Sequence, residues 1–116
     1  DDKPIEQPLQ GMVKDMLPKL EISGHRKNNY IGQEVTYYLT PDKKYQVVMS
    51  ERPRSRANEY NIDVRKFNPE WDGYEAGNMG KYNDGTRAFF RSVMYAANFR
   101  NALEELKAHL KSLGAI

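Results

Sequence analysis

Cysteine is absent from this 116-residue chain, which excludes disulfides, iron–sulfur clusters, thiolate zinc sites and any thiol nucleophile. Long apolar runs are absent too, none approaching the roughly 18 residues that a membrane-spanning helix requires. Histidine is scarce: His25 stands in the polar segment "SGHRKNN" and His109 near the far end. Neither has a second histidine at ligand spacing, so no metal site is expected. Catalytic signatures are missing as well, with no G-x-S-x-G and no H-E-x-x-H. "GNMGK" (77–81) does not make a P-loop, because Glu75 occupies the first glycine position and Tyr82 the hydroxyl position. Glu104 and Glu105 are adjacent on a helical pattern and point about 100° apart, a poor acid/base pair. These absences together point away from an enzyme and from any cofactor.

What is present describes one domain with a thin core. The apolar fraction is 39% and mean hydropathy is −0.86, and a chain of this length buries an ordinary core without staples. Net charge is only +2, but it is unevenly spread: residues 1–24 carry three basic and five acidic groups, residues 43–91 ten basic and seven acidic. A basic middle suits a phosphate backbone, and equally suits an ordinary solvated face. The sequence begins with Asp1 and shows no signal-peptide apolar region. An intracellular location is the first expectation and an exported mature form the second.

Along the chain, "DDKPIEQPLQ" opens with little to bury, so residues 1–8 read as a flexible lead-in to a single α+β domain over 9–116. Leu9, Met12, Val13, Met16, Leu17 and Leu20 recur at helical spacing, with Pro18 set to end that short helix. "QEVTYYLT" (33–40) and "YQVVMS" (45–50) alternate about a Pro41–Asp42 turn, which predicts a β-hairpin with Val35, Tyr37 and Leu39 on its apolar side. In "EYNIDVRKF" (59–67), Tyr60, Ile62 and Val64 face one way and Asn61, Asp63, Arg65 and Phe67 the other. A strand buried on one face only leaves Arg65 on the open side. Residues 68–85 hold four glycines and read as a long loop of functional length. Residues 87–95 read as a strand or as the start of a longer helix, the strand being favoured because Asn98 is a suitable N-cap. Phe99, Leu103, Leu106, Leu110 and Leu113 then form the stripe of an amphipathic helix stopped by Gly114. The predicted architecture is a four-stranded antiparallel meander with this helix on one face and a short N-terminal helix. Tyr37, Tyr60 and Tyr95 are expected in the core.

Aromatic residues interleaved with basic ones are the remaining signal. Phe67, Trp71, Tyr74 and Tyr82 lie among Lys43, Lys44, Arg52, Arg54, Arg56, Arg65, Lys66 and Lys81. Aromatic faces stack on bases while basic groups follow phosphates, the chemistry by which a sheet holds single-stranded DNA or RNA without reading sequence. The competing reading is a protein-interaction module (an inhibitor, immunity-type or secreted adaptor protein) docking through the 68–85 loop, since the same residue types make protein hot spots.

Two stretches bear a family likeness. "YNIDVRKF" (60–67) and "FFRSVMYAANFRNALEELKAHL" (89–110) resemble the strand and the strand–turn–helix of the positive-cofactor-four coactivator, Pur-alpha and Whirly group of single-strand nucleic-acid-binding folds. The resemblance covers roughly 30 residues. It implies a homodimer, with Arg65 as a phosphate contact and Phe67 or Trp71 as a stacking platform. The chain departs from the pattern where "NMGK" (78–81) is followed by "YNDGT", and where Ala96-Ala97-Asn98 lacks acidic residues. Its first 30 or so residues have no counterpart in that group.

Overall fold

A computed structural model describes residues 8–70, 82 and 86–116. Helix α1 (Pro8–Met16) is followed by strands β1 (Glu21–Asn28), β2 (Gln33–Leu39), β3 (Tyr45–Pro53), β4 (Asn58–Lys66) and β5 (Arg87–Met94), then helix α2 (Ala96–Ser112). Each strand pairs antiparallel with the next in one sheet of order β1-β2-β3-β4-β5. The sheet thus has five strands, not four. The extra one is β1, in the segment "EISGHRKN", which carries a single large apolar residue and is exposed at all positions but Gly24. An edge strand is held mainly by backbone bonds to its one neighbour, so it needs no apolar alternation and shows none.

Both helices cover the same face of the sheet. Tyr38, Val47, Val64 and Phe89 stand in register across β2 to β5, and Phe99, Leu103, Leu106 and Leu110 of α2 pack over this layer with no exposed surface. Tyr60 and Phe99 stack with ring centroids 4.6 Å apart. Beside α2, α1 adds Leu9, Val13 and Met16 to the same core, all buried. The lead-in expected over 1–8 gives way to helix at Pro8, which suits a first turn because the amide it lacks has no helical partner there. Pro18 does end the element: Leu17 N donates to Val13 O at 2.7 Å and the helix goes no further.

β2 reverses one expectation. Tyr38 lies on the helix-covered face, while Val35 and Tyr37 are buried on the opposite one. "VTYYL" is apolar at both parities, so alternation alone could not choose the side. The α2 boundary also moves. Strand β5 ends at Met94 and the helix starts at Ala96, leaving only Tyr95 between them, with φ 73° and no side-chain cap bond. Tyr95 is therefore an exposed pivot and not core, and Asn98 donates from Nδ2 to Met94 O at 2.9 Å inside the first turn. At the other end Gly114, with φ 71°, sends its amide to Lys111 O while Ala115 N reaches Leu110 O. These two bonds make a Schellman stop. Among the described residues no helix is long and apolar enough to cross a membrane.

Candidate nucleic-acid interface

The β2–β3 turn closes where the Pro41–Asp42 pair predicted it, through Lys43 N to Thr40 O at 2.8 Å. Asp42 Oδ1 accepts from Thr40 Oγ1 and from the Lys44 amide. These bonds, that of the Lys44 amide foremost, hold its carboxyl below the usual range. Lys43 takes up a left-handed backbone, φ 60°, and both lysines are exposed. β4 ends against this turn: Phe67 N donates to Lys44 O at 2.7 Å, which sets Lys66 and Phe67 beside the lysine pair. Tyr82 arrives from far along the chain. Its hydroxyl donates to Lys43 O at 2.8 Å, and its ring lies 5.4 Å from that of Phe67, tilted by 56°. Burial, and then the Asp42 charge, raise the Tyr82 phenol above its ordinary pKa. Five of the twelve candidates (Lys43, Lys44, Lys66, Phe67 and Tyr82) therefore meet at one end of the sheet.

Arg52, Arg54 and Arg56 do not join them. They cluster at the β3–β4 hairpin, where Pro53 pairs with Asn58. That is the opposite end of β3, about 25 Å away at roughly 3.3 Å per residue. Arg54 is tied to Glu59 at 2.7 Å, whereas Arg56 is exposed. Trp71, Tyr74 and Lys81, with most of the 68–85 loop, lie outside the described residues.

Arg65 is on the open face, as the alternation requires, but it is engaged there. Its Nε and Nη2 donate to Asp63 Oδ2 at 3.0 and 2.7 Å, and its side chain is only 12% exposed. Arg87 of β5 binds the same carboxylate from the other side, at 3.0 and 3.1 Å, and its guanidinium lies 4.7 Å from the exposed Phe90 ring. Near them Val35, Tyr37, Gln46, Ser50 and Asp63 are all buried. The middle of the open face is thus shut to solvent, and accessible charge gathers at the ends of the sheet and along β5.

Sequence reasoning missed the β1–β2 hairpin. Arg26 and Lys27 lead into an Asx turn in which Tyr30 N donates to Asn28 Oδ1 at 3.0 Å, leaving Tyr30 wholly exposed. Arg26, Lys27 and Tyr30 border a surface depression of 540 Å³. The tip packs on the end of β3, since a Cβ on Gly32 would come within 3.2 Å of Pro53 Cγ. The hairpin thereby joins the arginine end of the sheet. The run "HRKNNYIG" held the signal, basic residues followed by turn formers and glycine.

Among the described residues no three histidine or acidic side chains are grouped to hold a metal ion. No family model, curated protein or solved structure matches the chain.

Proposed function

We propose that this domain is a non-enzymatic binder of single-stranded nucleic acid, and that the lysine-bearing end of the sheet is its first contact. The observation that carries the reading is the grouping of the half-exposed Phe67 ring, held against Tyr82, with the exposed Lys43, Lys44 and Lys66. Aromatic rings give bases a surface to stack on, and the lysine ammonium groups, on flexible stems, follow the phosphates. Arg65, committed to Asp63, serves as a support for this end and not as a phosphate contact. The homodimer implied by the family likeness belongs to the same proposal.

The test is a polarization titration of a labelled mixed-sequence single strand at several salt concentrations. Three lysine contacts give a log–log salt slope near −2, at about 0.7 counterion for each contact. Lys44→Ala or Lys66→Ala flattens that slope, whereas Phe67→Ala costs roughly 1–3 kcal/mol and leaves it unchanged. Absence of binding tighter than about 100 μM at low salt would overturn the reading, since non-specific strand binding reaches that level at physiological salt. The protein-interaction reading then takes its place, with Tyr30 and Ile31, both exposed on the β1–β2 tip, as its anchors.

A further inference from the structure

The tip of the β1–β2 hairpin offers a surface distinct from the lysine end. The Tyr30 side chain is wholly exposed, so its ring adds nothing to the core, yet the backbone beneath it is fixed. Tyr30 N donates to Asn28 Oδ1 at 3.0 Å, and Gly32 takes a left-handed backbone, φ 68°, against Pro53. Beside the ring lies the depression of 540 Å³, a size typical of small-ligand sites. Arg26, Lys27 and Asn29 on its border are all exposed, and Gln33 is half-buried. No acidic side chain is among its described walls. An accessible aromatic face, two amide side chains and two cations thus border one opening.

We propose that this depression is a nucleotide subsite that reads a base, an inference that rests on the strand-binding reading and gives the strand a second point of contact. The Tyr30 ring stacks on the base, as aromatic side chains do with the unstacked bases of single strands. The amides of Asn29 and Gln33 each set a donor beside an acceptor, a pattern that adenine meets with its N7 and its amino group. Arg26 takes the phosphate. Asn28 has a separate task, because its Oδ1 holds the turn. A turn fixed in advance spares the complex the cost of ordering it. The lysine end holds a strand by rings and ammonium groups and tolerates any sequence; this end adds a preference for adenine.

The experiment is a polarization titration of the full chain with labelled oligodeoxyadenylate and oligodeoxythymidylate. Strands of about 16 nucleotides reach both ends of the sheet, and strands of about 4 occupy one. The long adenine strand should bind about fivefold tighter than the long thymine strand, and N29A/Q33A should abolish that difference. Tyr30→Ala should weaken both long strands about fivefold or more, the equivalent of one stacked base. It should leave the short strands and the melting temperature unchanged, since the ring is fully exposed. Arg26→Ala should flatten the salt slope of the long strands by about 0.7. Long-strand binding undiminished by Tyr30→Ala, or an adenine preference that survives N29A/Q33A, overturns the subsite and leaves the lysine end as the binding site. A chain that binds no strand of either length or base overturns both readings, and the tip then stands as a protein anchor.

Discussion

Asp63 exposes only 7% of its surface and accepts from two guanidinium groups, Arg65 on its own strand and Arg87 on the next. Removing one partner of a buried ion pair strands the other charge, which costs far more than an exposed pair is worth. Asp63→Ala should therefore destabilise the fold by about 3 kcal/mol in urea unfolding. Glu105→Ala, which breaks the exposed pair with Arg91, should cost under about 1 kcal/mol. Equal losses would mean that the Asp63 cluster is as well solvated as the helix surface. Tyr38 is the second buried polar case, because its hydroxyl has no hydrogen-bond partner among the described residues. Burial pushes its pKa up to about 12, against about 10 in an unfolded chain. Its stabilising effect is whole below the unfolded value and is lost as pH climbs towards the folded one. Between those limits the folded state should lose roughly 3 kcal/mol through this one group. Tyr38→Phe should remove that part of the alkaline transition, and near neutral pH it should leave the melting temperature unchanged or raise it, since an unpaired buried hydroxyl is deleted. A variant with an unaltered alkaline limb would show that the phenol reaches solvent before it ionises.

At the scale of elements, α2 explains itself most fully. Its apolar positions recur at helical spacing, its last turn is closed by Gly114, and its buried residues are those the stripe named, except the last, together with Ala102. Leu106 has no exposed surface, whereas Leu113, at the C-cap, is 38% exposed. Leu106→Ala should cost about 2–5 kcal/mol and Leu113→Ala well under half of that, because only the first leaves a cavity. Thermal melts of the two variants decide this, and equal shifts would mean that α2 is not seated on the sheet. β1 is the contrasting element. Backbone pairing with β2 makes it a strand, joined by side-chain contacts from Ser23 to Tyr37 O and from His25 to Glu34, so its charged and turn-forming composition marked the turn at its end and not the strand.

The whole molecule separates charges that lie close together in sequence. Arg52, Arg54 and Arg56 lie within fourteen positions of Arg65 and Lys66, yet the β3–β4 hairpin sends the two sets to opposite ends of the sheet. The β1–β2 hairpin then brings Arg26 and Tyr30 to the arginine end. A strand of about 4 nucleotides, the short limit for one small binding fold, should feel Lys44→Ala but not Arg56→Ala. One of about 16 nucleotides should feel both. If Arg56→Ala weakens the short strand as much as Lys44→Ala does, the two ends do not act separately.

Periodicity in the sequence was enough to determine the α+β class, the turn at Pro41–Asp42, the apolar side of β4 and the open-face position of Arg65, because backbone geometry ties side-chain direction to spacing along the chain. It was also enough to find the core stripe of α2 and the stop after it. Tertiary structure alone decided which side of β2 faces the helices, since that strand is apolar on both, and that β1 exists at all. It also decided that Arg65 and Arg87 share the Asp63 carboxylate and that Lys43, Lys66, Phe67 and Tyr82 meet. Those outcomes depend on cross-strand register and on pairings between residues up to 39 positions apart, and local spacing holds no record of partners brought together only when the sheet closes.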